Sequence, residues 1–267
     1  MNKDKNFHKL IDLMATLRSP EGCPWDREQT IDSLTPYVIE EAYEVVEAIE
    51  TSKGTPTNDL KDELGDLLFQ VIFLARLAEE EGSFDISDVI DGIIEKMTRR
   101  HPHVFSDSEA KDSEEVLKNW DAIKKSEANA STRSGLLDGI PEALPSLLRA
   151  MKVSKKVAKT GFDWKEAEQA MDKVFEEIEE FKVSLIENDQ DGIEEEMGDI
   201  LFTLVNVSRF VRVDPERALR RTTRKFIDRF HYIERTIIND KRSLDETSIE
   251  EMEELWERAK EEERKKK

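Results

Sequence analysis

Two sets of carboxylates, each divided between neighbouring segments at helical spacing, are the residues of this chain best suited to chemistry. In the second half, Glu176, Glu177 and Glu180 fall in Lys173-Val174-Phe175-Glu176-Glu177-Ile178-Glu179-Glu180, and Glu196 and Asp199 fall in Glu194-Glu195-Glu196-Met197-Gly198-Asp199. In the first half Glu40, Glu41 and Glu44 precede Glu63 and Asp66 in the same grammar. Residues three apart on an α-helix lie about 60 degrees apart around its axis, so Glu41 with Glu44, Glu63 with Asp66, and their counterparts each share a face. Four acids from adjacent helices repel one another, and a carboxylate beside an apolar stripe is costly unless it is paired or bound to metal. A hard cation resolves the conflict. Oxygen donors without histidine point to Mg²⁺, with Mn²⁺ as a substitute.

Mg²⁺ usually keeps waters and bridges to substrate phosphates, which directs attention to nearby cations. Lys225 and Arg229 are four apart on a predicted helix and project together, and Trp256 with Lys260 offers a ring beside a charge. The first half repeats these as Lys96, Arg100, Trp120 and Lys124, and Trp25 matches Trp164. Acids, cations and tryptophans recurring in register imply a duplicated module. From spacing alone, Lys225 and Arg229 equally suit a surface ion pair. Trp25, Trp120 and Trp164 are expected in the core, and Trp256 suits either role. Asn206, on the flank of Asp199 and Thr203 where the first copy has Phe73, is a candidate for reading a base or sugar. Glu179, Glu187, Glu194, Glu195 and Glu253 are expected on solvated faces, and His101 and His103 in a turn.

Positioning these groups falls to helices. Periodicity predicts them over 6–18, 36–51, 60–78, 85–100 and 112–126, then 142–159, 165–188, 190–212, 214–238 and 247–264. Thr35-Pro36 reads as a start signal with Thr35 as cap. Leu60, Leu64, Leu67, Val71 and Leu74 form the expected core stripe of the third long helix, and Phe69, Phe73 and Leu77 add apolar bulk on the flank of Asp66. Nothing reads as a sustained strand. The expected fold is all-α, with tandem four-helix-bundle-like modules at 1–126 and 140–267 and a linker at 127–139.

Composition narrows the function. The 267 residues are 38% charged with a net charge of -20, which disfavours nucleic-acid polymers and acidic membranes as partners. A small polyphosphate can still bind where a cation neutralises the local acids. Cys23 is the single cysteine and there are four histidines, so neither a disulfide within the chain nor a zinc set is expected. No stretch approaches a membrane span, and a reducing, cytoplasmic setting is the expectation.

The chain resembles the MazG family of the all-α NTP pyrophosphatase superfamily. The resemblance rests on Gly22-Cys23-Pro24-Trp25-Asp26, on Arg99-Arg100-His101-Pro102-His103-Val104-Phe105, on Gly161-Phe162-Asp163-Trp164 and on both acid motifs. It implies Mg²⁺-dependent hydrolysis of nucleoside triphosphates between the α and β phosphates, tolerance of different bases, a role in clearing nucleotides, and a homodimer. It also assigns metal binding to Glu177, Glu180, Glu196 and Asp199, and nucleotide binding to Lys173, Lys225, Arg229, Trp256 and Lys260. The first copy keeps its acids but has Tyr37 in place of Lys173. No serine, cysteine or histidine recurs as a nucleophile, so direct attack by water is expected, with Glu176 as a candidate base. A helical binding module whose acids serve solubility, and an enzyme restricted to one nucleotide such as dUTP, are the competing readings.

Overall fold

A computed structural model describes residues 3–52, 54–106, 109–129 and 135–265. The chain divides into two compact units, Met1–Ala130 and Ser131–Lys267. The first contains α1 (Lys3–Leu17), α2 (Pro24–Glu28), α3 (Thr35–Thr51), α4 (Asn58–Glu80), α5 (Ile86–Arg100), α6 (Pro102–Phe105) and α7 (Ser113–Asn129). The second contains α8 (Ser146–Ala158), α9 (Ala167–Glu187), α10 (Gln190–Phe210), α11 (Pro215–Asn239) and α12 (Ile249–Lys265). No strand occurs among the described residues, and the fold is a tandem of all-α modules. Part of the expected linker, 130–134, lies outside the described residues, and α7 runs past its expected end to Asn129.

Local chemistry sets the helix ends. Thr57 caps α4 by accepting from the Leu60 N–H at 3.2 Å, Asp85 closes a capping box on α5, and Asp214 caps α11 ahead of Pro215. Thr35 is not a cap. A 3₁₀ turn, Asp32–Leu34, feeds directly into α3, so Thr35 is already helical and Leu34 precedes it. In the second unit α9 ends at Asn188, whose φ of 56° turns the chain, and Asp189 then caps α10. Asparagine tolerates that left-handed conformation better than most side chains. This tight reversal places the acids of α9 opposite those of α10.

In the first unit α4 packs on α3, α1 and α5, while α7 packs on α5. Met14, Leu34, Ile72, Phe73 and Leu77 form its buried core. The apolar stripe expected on α4 is therefore misassigned: Leu64 is 50% exposed and Val71 is also exposed, while the flank through Phe73 and Leu77 is buried. One chain offers α4 only enough partners to cover one side. In the second unit α10 packs on α9 and α8, and α11 packs on α8 and α12. Ile233, Ile237 and Leu255 form a core between α11 and α12, with Trp256 against it. Met197, Leu201, Phe202 and Leu204 of α10 remain exposed, as do Leu64, Leu68 and Val71 on α4, while Phe69, in register with Phe202, packs on the first unit's core.

Candidate active site

Each unit sets its acids across one pair of helices. In the second, carboxylate oxygens of Glu177 from α9 and of Glu196 and Asp199 from α10 lie within 4.8 Å of one another. Glu177 is 5% exposed, whereas Asp199 faces solvent. Burial, then the charges of Glu180, Glu177 and Asp199, hold the Glu196 carboxyl above its usual range. Glu180 is raised by burial and by its hydrogen bond with Glu177. In the first unit the trio is Glu41 and Glu44 of α3 with Glu63 of α4, two acids from the earlier helix and one from the later, the reverse of the second unit. Glu41 is raised by burial and then by Asp66, Glu44 and Glu63, and Glu63 by burial and then by Glu44 and Asp66. Each trio thus feels its fourth acid, Glu180 or Asp66, through space.

The donor set suits a hard cation. Glu196 Oε2 and Glu41 Oε2 are buried without a hydrogen-bond partner, and each faces like charge that only a cation would relieve. All the donors are carboxylate oxygens, the chemistry of Mg²⁺ or Mn²⁺ rather than of a thiophilic metal.

Beside the acids the two units differ. Lys173 Nζ bonds Glu176 at 2.6 Å and Glu177 at 2.9 Å, and those two carboxylates raise its pKa. A cavity of about 480 Å³ opens next to it, lined among others by Asp163, Trp164, Gln169 and Glu176. At the corresponding place in the first unit Tyr37 meets the edge of Trp25, ring centroids 5.7 Å apart. Neither Trp25 nor Trp164 belongs to the core as expected: Trp25 is 49% exposed and Trp164 half-buried. Trp25 sits on the five-residue α2 and Trp164 on the connection before α9, and neither has enough neighbouring helix to cover an indole.

Asn206 does not read a ligand. It is buried, its Oδ1 accepts from Ser154 Oγ, and its Nδ2 donates to the Phe202 carbonyl at 3.1 Å. Arg209 Nε donates to the same Ser154 Oγ at 3.0 Å, and its guanidinium makes two hydrogen bonds to Asp163. A polar chain thus runs from the interior of α10 to the loop that carries Trp164. In the first unit Arg76, in register with Arg209, bonds Glu79 and Glu80 of its own helix. There Arg18 holds the loop instead, donating to the Asp26 carbonyl and pairing with Glu80 at 2.7 Å.

The remaining cations form a second constellation. Arg229 lies over the Trp256 ring, 5.4 Å from its centroid, and pairs with Glu263 at 2.7 Å. Phe226 packs on the same indole at 5.0 Å, and Lys260 pairs with Glu257 at 2.7 Å. Lys225 is half-buried on α11. None of the recorded ion pairs of these cations joins them to the four acids of α9 and α10. The first unit repeats the arrangement, with Arg100 over Trp120 at 5.7 Å and paired with Glu127 at 2.6 Å. Trp120 is half-buried, with His101 against its face at 4.8 Å rather than a closed core around it. Lys96 is half-buried and Lys124 exposed. Sequence reading missed Glu127 and Glu263, although each stands seven residues after its tryptophan, a spacing that was in plain view.

The profile described as the MazG nucleotide pyrophosphohydrolase domain matches residues 29–105 and 165–233. The chain is 45% identical over 258 residues to the nucleoside triphosphate pyrophosphohydrolase of Escherichia coli K12, covering 96% of this chain and 97% of that protein. It is 46% identical over 254 residues to the nucleoside triphosphate pyrophosphohydrolase/pyrophosphatase MazG of Thermotoga maritima, covering 95% of each. Against the uncharacterized protein YabN of Bacillus subtilis it is 48% identical over 259 residues, covering 97% of this chain and 52% of that protein.

Proposed function

The chain belongs to the MazG nucleotide pyrophosphohydrolase family and is a nucleoside triphosphate pyrophosphohydrolase, and from that premise we propose that turnover takes place in the second unit. The observation that carries this is the junction at Lys173, which touches the buried Glu177 of the acid cluster and lines an open cavity, where the first unit has Tyr37 closed against Trp25. The substrates are ribo- and deoxyribonucleoside triphosphates of differing base, cut between the α and β phosphates, in a role of clearing nucleotides. The protein works in the cytoplasm as a homodimer. The exposed Leu201, Phe202 and Leu204 of α10, with Leu64 and Val71 of α4, support that assembly, since one chain leaves them uncovered. Among the described residues no helix is long and apolar enough to cross a membrane.

Glu177, Glu180, Glu196 and Asp199 would hold Mg²⁺, or Mn²⁺ in its place, and Glu41, Glu44, Glu63 and Asp66 offer the same donors in the first unit. The ion would offset charge that collects on the pyrophosphate leaving group. Lys173, Lys225, Arg229 and Lys260 hold the phosphates through charge-assisted hydrogen bonds, with Trp256 setting the plane of Arg229. Water attacks the α-phosphorus, the bond from that phosphorus to the oxygen bridging to the β phosphate breaks, and monophosphate and pyrophosphate leave. Glu176, steered by Lys173 to the seam of cavity and acids, takes the proton of the attacking water.

The test is chromatography of products after incubation with mixed nucleoside triphosphates, with and without Mg²⁺. Metal-dependent monophosphate and pyrophosphate are the expected result. Diphosphate and inorganic phosphate would overturn the assigned bond, and equal turnover after chelation would overturn the role of the acids.

A further inference from the structure

We propose that the cavity beside Lys173 is a subsite for the base and sugar of the substrate, with Trp164 as its stacking platform and Arg209 as the positioning residue that fixes its wall. This rests on the second unit being the hydrolytic one. Three observations converge on the cavity. Its walls set the acceptors Gln169, Asp172 and Glu176 and the donors Lys165 and Lys173 around the Trp164 ring, so a base can lie on the indole while its edge and the sugar hydroxyls meet polar groups. Lys173 lines the cavity and also bonds Glu177 of the acid cluster, so a ligand seated against Trp164 points its phosphates toward the acids and their cation. Trp164 is half-buried, and among the described residues no aromatic ring or cation stacks on it, while Trp256 already carries Arg229 on its ring and Phe226 against it.

The wall is held from inside the fold. Asn206, Ser154, Arg209 and Asp163 form one hydrogen-bonded chain from the interior of α10 to the residue before Trp164. Phe73 occupies the place of Asn206 in the first unit, where Arg18 instead links Glu80 to the Asp26 carbonyl, and its tryptophan lies against Tyr37. A stacking platform with mixed acceptors favours any base over none without selecting one, which agrees with broad tolerance.

The experiment compares KM for ATP and for CTP with the inhibition constant of tripolyphosphate, which has the phosphates and lacks the nucleoside. In the full-length protein Trp164→Ala should raise KM for both nucleotides about tenfold, the loss expected for one base–aromatic stack, and leave the tripolyphosphate constant unchanged. Trp164→Phe should retain most of the affinity. Arg209→Gln should raise KM in the same direction by a smaller factor, again sparing tripolyphosphate. An unchanged KM in Trp164→Ala, or equal weakening of ATP and tripolyphosphate, would overturn the subsite while leaving the hydrolase reading intact. Failure of the unaltered protein to hydrolyse any nucleotide would remove that reading and the subsite with it.

Discussion

The two units carry the same four acids in register and differ in how those acids converge and in the residues next to them. Glu41 and Glu44 of α3 meet Glu63 of α4, whereas Glu177 of α9 meets Glu196 and Asp199 of α10, and each cluster contains one orphaned buried oxygen. Beside the first cluster, Tyr37 stands at the place of Lys173 and packs on Trp25, and Phe73 fills the place of Asn206. Beside the second, a lysine, an open cavity and a polar chain to Arg209 take those positions. On the proposed reading, cation binding and nucleotide turnover make separate demands: the four acids would serve the first, and the second would need the positive charge and space found beside Lys173.

Single substitutions break or sharpen that contrast. Glu196→Gln should cut pyrophosphate release about a thousandfold, since a cation in a phosphoryl site is worth several kcal/mol of transition-state stabilisation. Glu63→Gln, in register with it, should change the rate by no more than about twofold, and equal loss in both variants would show that the units share the work. Lys173→Tyr, which imposes the first unit's residue on the second, should lower kcat/KM between about tenfold and a hundredfold, the range for losing one charged hydrogen bond. Tyr37→Lys introduced into the Glu196→Gln protein should restore no turnover, because a lysine alone does not supply the Asn206–Ser154–Arg209–Asp163 hydrogen bonds that hold the second unit's Trp164 segment.

Helices and the duplicated acids were legible because they depend on local spacing, whereas the caps Asp85, Asp189 and Asp214 emerged only with the structure. Side-chain roles set by tertiary contact were not. Asn206 shares a flank with Asp199, which suggested a ligand contact, but α8 brings Ser154 against it and consumes its side chain. Leu64 and Val71 have the spacing of a core stripe and lie exposed, because periodicity marks an apolar face without saying whether the same chain covers it. Thr35 lost its expected capping role to the 3₁₀ turn before it, a feature three residues long with no period to read. Arg76 and Arg209 occupy matching positions and bind different partners, since only the second unit places an aspartate, Asp163, within reach.

The acid clusters also carry a pH signature. Burial and mutual repulsion raise Glu41, Glu63, Glu180 and Glu196 above the ordinary 4.5. A group whose folded pKa is raised binds its proton more tightly in the native state. Its stabilisation is complete below pH 4.5 and is lost as pH rises through the folded value. Freed of divalent ions, the protein should therefore melt at a lower temperature near neutral pH than in mild acid. Mg²⁺ should raise the midpoint most near neutral pH, where the carboxylates are ionised and the cation binds only the folded state. Because both clusters present the same donors, Glu63→Gln and Glu196→Gln should each remove part of that rise. A Mg²⁺ shift independent of pH would count against the cages in both units.

The smallest effect lies in the second constellation, where the units differ at one charged position. Glu127 takes hydrogen bonds from Arg100 and then Arg99, which together hold its carboxyl down at about 2. In the second unit Glu263 receives Arg229, but Asp228 stands in register with Arg99, so the second guanidinium is replaced by an acid. A depressed carboxylate stabilises the fold above the unfolded value of 4.5, and the contribution is lost as pH falls through the folded value. The link between α5 and α7 should thus persist on acidification to well below pH 4.5. Site-resolved NMR titration of the Glu127 carboxyl checks this directly, and a Glu127 that titrates at the ordinary 4.5 would overturn the clamp. Glu127 is shared by two guanidinium groups, and Asp228 stands where the second of them would be beside Arg229. Arg99→Asp, which imposes the second unit's residue on the first, should accordingly raise the Glu127 titration point toward 4.5, because it removes one of the two donors that hold the carboxyl down.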